Sequence, residues 1–404
     1  MLKSKYLIFL PYLFLLLAFY FGVDPNGGAW KDYLYHKSVI EDFKIDFFGT
    51  FFNYDDYSSR HSPVLLIFLS AFVKFEIHDY LIRLFFLHVC LLLPIIFYKC
   101  LILKFKSVRK DYLKLFACII FLSPSFLSLT IWPDSRILGL LLFSLSIFYF
   151  LKFKEDKAFL TAIKTIFFYT AASYISPNFS VFSVYFFYFF FKRFKISREI
   201  FLIVLLNFIL ALPAIIYTLS LDEIFLFQSA VPDNTIQKND YFNISNKILV
   251  ISSIIFFYCL PFLLTKSIKI KIIDYKNIFL SFLLLAILSI GFNYNPNYTG
   301  GGIFFKISHH LLGNNYLFFI ISFFSILFLL SVIKISKENL LIIFLLILSN
   351  PQFTIYHKYY DPFILILFLL LFKINFNKKN LFNFKTIFIF YLHIGVFLIL
   401  NFIK

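Results

Sequence analysis

Two aspartates lie beside apolar stretches, in positions where a carboxylate could take part in catalysis. Asp24 follows the first apolar block and precedes Gly27-Gly28, a pair that lets the backbone approach a ligand closely. Asp134 lies in the short segment Trp132–Arg136, between two further apolar blocks. At the end of a membrane-crossing block, a carboxylate can deprotonate an acceptor hydroxyl or hold a divalent cation such as Mg²⁺ or Mn²⁺. Asp134 with Arg136 could bind a cation and a phosphate, or Asp134 could simply cap the next helix.

Basic and aromatic residues introduce two other apolar segments. Arg60 and His61 stand before Ser62-Pro63, and Lys358 opens the stretch Lys358-Tyr359-Tyr360-Asp361-Pro362. Cations at that depth can bind the phosphate of a lipid-linked substrate, and they can equally anchor the chain to lipid headgroups. The triplet Gly300-Gly301-Gly302 precedes His309 and could cradle phosphate or form only a turn. The candidate substrate-binding residues in these segments are Arg60, His61, Lys358, Tyr360 and His309.

The elements that must position these side chains are apolar helices. Of the 404 residues, 61% are hydrophobic and only 15% are charged, whereas soluble domains carry about 25% charged residues. The apolar residues fall in repeated blocks such as 137–151 and 201–217. Each block is close to the roughly 20 residues with which a helix crosses the hydrocarbon core. The pattern predicts an all-α, polytopic transmembrane protein whose partners include the membrane lipids.

The distribution of positive charge predicts which side of the membrane each segment faces. The net charge of +17 comes largely from basic residues clustered between apolar blocks, as in cytoplasmic loops, and this argues against a nucleic-acid partner. Residues 62–75 contain about 12 apolar residues, roughly 18 Å of helix, which is too short for a core of ~30 Å. When 62–75 is an interfacial helix in the first outer loop, every later basic cluster falls on the cytoplasmic side.

This topology has about 12–13 spans, with the N-terminus in the cytoplasm. The predicted spans are 6–23, 81–103, 113–131, 137–152, 158–174, 179–191, 200–219, 248–264, 277–292, 315–333, 339–349, 361–373 and 386–403. The predicted outer segments are 24–80, 132–136, 220–247, 293–314 and 350–360. Seven of the 21 acidic residues lie in 24–60, and six of the eight histidines lie on the outer side. We therefore expect the active face to be the extracytoplasmic face of the plasma (inner) membrane.

The order of these features resembles the GT-C superfamily, the membrane glycosyltransferases that use sugars linked to polyprenyl phosphate. Asp24 follows the first span, Arg60-His61-Ser62-Pro63 introduces a short outer helix, and Arg83 stands at the start of the next span. Trp132–Arg136 contains a second acidic residue between the third and fourth spans. Lys358–Pro362 is similar to the basic and aromatic entry to a late span. The resemblance is strongest over residues 20–155.

The resemblance implies a fold, a reaction and roles for residues. It implies a conserved membrane module, residues 1–220 with the outer loop 24–80, followed by a variable membrane module, residues 221–404. It also implies that Asp24 or Asp32 deprotonates an acceptor hydroxyl, which attacks the anomeric carbon with inversion as the lipid phosphate leaves. Asp134 is the second acid, and Asp24 and Asp134 are the candidate metal ligands. Arg83 and Arg136 join the substrate-binding residues.

On this interpretation the donor is a polyprenyl-phosphate hexose or pentose, and the acceptor is a glycan, lipid or protein of the cell envelope. A flippase or transporter of lipid-linked saccharides is the main alternative, and it would place ionisable residues inside the spans. Here the main ones are His88 and His393, while acids crowd the outer loops. A saccharide polymerase or ligase stays open as a third hypothesis, since it would act on the same face with outer-loop Arg and His.

Overall fold

A computed structural model describes residues 9–57, 61–221, 243–271, 274–297 and 300–402. Within these ranges the chain is all-helical and has no β-strand, although one isolated bridge joins Ile268 to Phe376. The α-helices are α1 Phe9–Tyr20, α2 Ala29–Ile45, α3 Phe47–Phe52, α4 Val64–Lys74, α5 Asp79–Cys90, α6 Leu92–Lys104, α7 Lys110–Ala117, α8 Pro124–Ile131, α9 Ser135–Asp156, α10 Phe159–Ile175, α11 Ser183–Phe194, α12 Arg198–Ser220, α13 Ile244–Leu264, α14 Tyr275–Ile290, α15 Gly302–Leu312, α16 Tyr316–Ile333, α17 Lys337–Leu348, α18 Phe363–Leu370, α19 Lys378–Leu381 and α20 Phe384–Phe402. Short 3₁₀ helices lie at Tyr54–Tyr57, Cys118–Leu122, Pro177–Phe182 and His357–Tyr359.

Six helices in the described ranges are long and apolar enough to cross a membrane, which supports a multi-pass membrane protein. They are Asp79–Lys104 (α5 and α6 taken as one continuous helix), Ser135–Asp156, Arg198–Ser220, Ile244–Leu264, Tyr316–Ile333 and Phe384–Phe402. A bent pair, Lys110–Leu122 with Pro124–Ile131, raises the number to seven if it forms one span. Shorter apolar helices cover several other predicted spans, so the larger count of thirteen stays a prediction. The interfacial position of 62–75 also stays a prediction; its helix, α4, has 11 residues.

The predicted span 113–131 is broken in the middle, and the break shapes the site described below. The two halves meet at an angle of 66° between Leu122 and Pro124. Pro124 has no N–H to continue the preceding helix, and it occupies the first turn of α8, where a missing N–H costs nothing. The Ser123 hydroxyl accepts the N–H of Phe126 at 3.0 Å and so caps α8. The bend gives α8 its own direction, and α8 leads directly into Trp132.

The chain forms two compact units. The first contains residues Met1–Ala230 together with Ile387–Lys404, and the second contains Val231–Thr386. In the first unit, α9 packs along α10 and α6, and α2 packs against α4. Rings of Phe143, Phe150 and Phe186, all fully buried, pack together between α9 and α11. The predicted division into a conserved module, 1–220, and a variable module, 221–404, is a different kind of division and stays a prediction.

The last helix, α20, belongs to the first unit for most of its length. The ring of Phe390 packs against that of Phe116 on α7, with centroids 4.9 Å apart. The Tyr391 hydroxyl donates a hydrogen bond to the carbonyl oxygen of Leu115 at 2.8 Å. Phe116 and Phe390 are both buried, so this contact is part of the core of the first unit.

The second unit is built around α13, which contacts α14, α15, α16, α17 and α18. All eight residues of α18 are buried. Asn339, at the start of α17, is fully buried and makes three hydrogen bonds to backbone groups. Its Nδ2 donates to the carbonyls of Val332 and Lys373, and its Oδ1 accepts the N–H of Lys373. One side chain thus joins α17 to the end of α16 and to the segment after α18.

Candidate functional site

Asp24 holds a tight turn between α1 and α2. Its Oδ1 accepts the N–H of Gly27 at 3.2 Å, and its Oδ2 accepts the N–H of Trp30 at 3.1 Å. Gly27 has φ +71°, a left-handed conformation that glycine adopts without strain. Trp30 lies in the first turn of α2, where backbone N–H groups lack partners within the helix. The carboxylate is therefore fixed in place by the turn that it closes.

The turn that contains Asp24 lies against α8 and Trp132. The backbone N–H of Asn26 donates to the hydroxyl of Ser128 on α8 at 3.0 Å. A Cβ atom placed on Gly22 would lie 3.4 Å from the indole of Trp132, which is van der Waals distance. The turn between α1 and α2 and the segment Trp132–Arg136 are therefore neighbours. Asp24 and Asp134 lie on these two adjoining segments.

Arg83, on α5, is the cation at this site. Its Nε donates to the carbonyl oxygen of Ile131 at 3.1 Å, and its guanidinium carbon lies 3.6 Å from the centroid of the Trp132 ring. Phe19 of α1 lies on the guanidinium as well, with its centroid at 5.3 Å. A guanidinium stacked on indole is held by cation–π attraction and is pre-organised for further hydrogen bonds. Its two terminal nitrogens make no hydrogen bond to any residue that the structure describes.

Two more donors belong to Trp132 itself and to the turn that contacts α8. The indole Nε1 of Trp132 and the amide Nδ2 of Asn26 are both buried, and neither has an acceptor within the described ranges. A buried donor without an acceptor is costly, and such atoms are rare in folded proteins. Together with the Arg83 terminal nitrogens, they form a set of donors suited to an anionic or oxygen-rich ligand. We refer to Asn26, Arg83 and Trp132 as the donor cluster.

Asp134 is buried, at 4% exposure, and its carboxylate caps α9. Its Oδ1 accepts the N–H of Arg136 at 2.7 Å. Of the two roles that the sequence left open, helix capping is therefore present, and binding of a cation or phosphate stays a prediction. The next residue, Ser135, places its hydroxyl 3.2 Å from Nδ1 of His61. The His61 ring packs on that of His36 from α2 at 4.9 Å.

The structure brings four predicted residues of the first unit into this region: Asp24, His61, Arg83 and Asp134. Arg136 is the residue whose N–H bonds to Asp134. Asp32, the alternative base, lies half-buried in the first turn of α2, one helical turn before His36. Arg60 lies outside the described residues.

The remaining predicted residues belong to the second unit. Lys358 and Tyr360 lie in and after the 3₁₀ helix that precedes α18. The Lys358 ammonium is 5.4 Å from the centroid of the Tyr356 ring, and Tyr360 is buried, with 1% of its surface exposed. His309 hydrogen-bonds through Nε2 to the side chain of Asn315 at 2.6 Å. That bond lies where α15 turns into α16, so His309 has a local structural role.

The predicted divalent cation stays a prediction, since a carboxylate oxygen that accepts one N–H keeps a second lone pair. Both oxygens of Asp24 accept backbone N–H groups, and Oδ1 of Asp134 accepts another. Mg²⁺ and Mn²⁺ need oxygen ligands with free lone pairs directed at one point. Across the described residues, no group of three or more His, Cys, Asp or Glu is arranged to hold a metal ion. We therefore derive no step of the chemistry through a metal.

Two members of the donor cluster were not among the predicted site residues. Trp132 is one of only two tryptophans in the chain and stands in the same segment as Asp134. The sequence therefore did contain a signal that Trp132 belongs to the site. Asn26 gave no such signal, because its position depends on contact between α8 and the turn that joins α1 to α2. Comparison with known proteins found no matching family model, no similar curated protein and no similar solved structure.

Proposed function

We propose that this protein is a membrane glycosyltransferase. It moves a hexose or pentose from a polyprenyl-phosphate donor to an acceptor hydroxyl, with inversion, on the non-cytoplasmic face. The observation that carries the proposal is Arg83, fixed on Trp132 beside the turn that holds Asp24. Sugar transfer from a lipid phosphate needs a cation for the leaving phosphate and a base for the attacking hydroxyl. A fixed guanidinium near a fixed carboxylate is able to supply both.

In the proposed reaction, Asp24 accepts the proton of the acceptor hydroxyl as its oxygen attacks the anomeric carbon. The new glycosidic bond forms on the face opposite the phosphate. The bond between the anomeric carbon and the phosphate oxygen breaks, and its electron pair leaves with the polyprenyl phosphate. The terminal nitrogens of Arg83, with Trp132 Nε1 and Asn26 Nδ2, donate hydrogen bonds to the phosphate as its charge increases.

The proposal includes the topology predicted from charge. With thirteen spans and α4 in the outer interface, the turn of Asp24, the start of α5 and the segment Trp132–Arg136 all face the non-cytoplasmic side. A polyprenyl chain would then lie in the membrane while its phosphate reaches Arg83 from the hydrocarbon boundary. The acceptor is a glycan, lipid or protein of the cell envelope.

Arg83→Lys tests the proposal because lysine keeps the charge and loses the planar pair of terminal donors. In proteoliposomes supplied in turn with undecaprenyl-phosphate mannose, glucose and arabinose, together with an extract of cell-envelope glycans, lipids and proteins as acceptors, we expect wild-type protein to release undecaprenyl phosphate from at least one donor. Loss of donors to a developing charge typically lowers the rate about 10²–10³-fold, and we expect that loss for Arg83→Lys. Arg109→Lys is the matched control, since Arg109 is an exposed surface cation paired with Asp111; its rate should stay within about twofold.

The same assay separates the proposal from the flippase hypothesis. A flippase moves the intact lipid-linked sugar between leaflets, so the sugar becomes accessible on the other face while the phosphate–sugar bond stays whole. Transbilayer movement without release of undecaprenyl phosphate, or normal release by Arg83→Lys, would overturn the assignment. Thermal melting of each purified variant shows whether a lost rate reflects misfolding.

A further inference from the structure

A cavity of about 230 Å³ lies between α2, α4 and α5 in the first unit. The polar residues of its lining, called the polar wall below, are Tyr33, Lys37, Glu41, His78 and Asp79. The aliphatic residues of its lining, called the aliphatic wall below, are Ile40, Leu69, Val73, Ile77 and Ile82. Except for Asp79, which begins α5, no charged residue of this cavity belongs to a helix that is long enough to cross a membrane. None of its residues belongs to the donor cluster.

The polar wall contains both hydrogen-bond acceptors and hydrogen-bond donors. Asp79 accepts the hydroxyl of Tyr33 at 2.6 Å and lies 3.8 Å from the ammonium of Lys37. Glu41 supplies the second carboxylate, and its Oε2 lies 3.7 Å from the ammonium of Lys44. Burial, and then the hydrogen bond to Asp79, raises the pKa of Tyr33, so its hydroxyl keeps its proton and donates. Two carboxylates and one ammonium line the wall, so the cavity disfavours an anion.

The size and the two walls together restrict the ligand. Cavities for drug-sized ligands span about 300–1,000 Å³, so this one has room for a single small ring. A saccharide ring has hydroxyl groups around its edge, which can both donate to carboxylates and accept from an ammonium. Its C–H face is apolar and can lie on aliphatic side chains. A lipid chain would match the aliphatic wall and leave the polar wall without partners.

The cavity adjoins the donor cluster through one side chain. The Tyr33 ring, which lines the cavity, lies 6.0 Å from the ring of Trp132. Asp79 stands one helical turn before Arg83 on α5, so both side chains lie on the same side of that helix. A group bound in the cavity is therefore a close neighbour of whatever binds at Arg83.

We propose that this cavity binds one neutral saccharide ring, held by Lys37, Glu41 and Asp79. The binding itself is independent of the proposed function. Its assignment as the acceptor subsite rests on the proposed function, in which the acceptor hydroxyl must reach the anomeric carbon on the face opposite the phosphate bound at Arg83. The acceptor is then a saccharide, which makes the reaction an extension of a glycan and not the modification of a protein side chain.

Photo-crosslinking of the full chain in phospholipid nanodiscs tests the inference without measuring transfer. Detergents with sugar headgroups must be absent, since they would compete. The probes are methyl glucoside and methyl mannoside, each carrying a diazirine, and labelled peptides are located by mass spectrometry. We expect label on the aliphatic wall, at Leu69 and Val73 of α4, and we expect excess unlabelled methyl glycoside to remove it.

Variants of the polar wall test whether its side chains hold the sugar probe. Lys37→Met and Asp79→Asn should each reduce labelling about tenfold or more, as expected for loss of a hydrogen bond to a charged group. Lys31→Met, an exposed lysine outside the cavity on the same helix, should leave labelling unchanged. Lys37 is itself partly exposed, so Lys37→Met keeps the test valid if Asp79→Asn misfolds. Asp24→Asn should abolish transfer and retain labelling, which separates failure of this inference from failure of the proposed function.

Two results would overturn the inference. One is the absence of label at this wall from both sugar probes. The other is labelling of the same residues by a diazirine phospholipid that methyl glycosides do not displace, which would identify the cavity as a lipid site.

Discussion

The carboxylate of Asp24 has two roles, and the substitution Asp24→Asn changes both. It accepts the N–H groups of Gly27 and Trp30, and in the proposed reaction it also takes a proton. Asp24→Asn removes the base, so we expect release of polyprenyl phosphate to fall about 10²–10⁴-fold. It also turns an amide N–H toward one of the two backbone donors, so we expect a lower melting temperature. Initial rates at saturating donor and melting curves in nanodiscs measure these two effects separately.

Asp32→Asn is the comparison for Asp24. Asp24 lies just before α2 and Asp32 lies in its first turn, and the resemblance implies either one as the base. A large loss of transfer in Asp32→Asn with normal transfer in Asp24→Asn would make Asp32 the base. Near-normal transfer in both variants would contradict the glycosyltransferase proposal.

At the scale of single residues, the sequence was informative where a role depends on local context. Asp134-Ser135 at the start of an apolar block suggested a helix cap, and the cap is present. The neighbourhood of Asp24, Arg83 and Trp132 depends on three segments far apart in the chain, and only their order could be predicted. Nothing in the sequence marked Asn26 or Tyr33, because their environment arises from helices that meet in the folded unit.

At the scale of elements, Asn339 offers a direct test of the packing in the second unit. Asn339→Ala leaves the buried carbonyl of Val332 and the partly buried N–H and carbonyl of Lys373 without their side-chain partner. Unpaired buried groups cost roughly 1–3 kcal/mol each, and partial relaxation reduces the sum. We expect a loss of about 3 kcal/mol of unfolding free energy, seen as a lower midpoint in denaturant titration in mixed micelles.

Asn297→Ala is the control for Asn339→Ala, since Asn297 is exposed and surface substitutions usually change stability by less than about 0.5 kcal/mol. Equal midpoints for the two variants would show that the three hydrogen bonds of Asn339 do not hold the second unit together.

The hydrophobic blocks predict the position of each apolar helix along the chain. They predict less reliably whether that helix is continuous or broken. The block 137–152 lies within a single long helix, α9. The block 113–131 instead contains two short helices that meet at Pro124 with a bend of 66°. A proline inside an apolar block is visible in the sequence, but the size and direction of the bend depend on the packing around it.

At the scale of the whole molecule, the predicted topology places residue 107 in the cytoplasm and residue 31 outside. The four native cysteines, Cys90, Cys100, Cys118 and Cys259, are all buried, so an added cysteine should be the main reactive thiol. We expect a membrane-impermeant maleimide applied to intact cells to label Lys31→Cys and to spare Ser107→Cys. Lysis should make Ser107→Cys reactive. Labelling of Ser107→Cys in intact cells would reverse the orientation and move the proposed site to the cytoplasmic face.

The sequence predicts a multi-pass helical membrane protein, because its apolar composition and its hydrophobic blocks are those that a helix needs to be stable in the hydrocarbon core of a bilayer. It could not predict that α20 would pack in the first unit, against Phe116 of α7. α20 is largely apolar, and apolar side chains carry little information about which neighbouring helix they will contact.

The position of α20 has a consequence for the order in which the protein is made. The ribosome completes residues 1–230, then the whole of the second unit, and only then the helix that carries Phe390 and Tyr391. Until that moment, Phe116 and the carbonyl of Leu115 lack their partners. The first unit, although its synthesis begins first, is therefore completed only after the second unit has been translated.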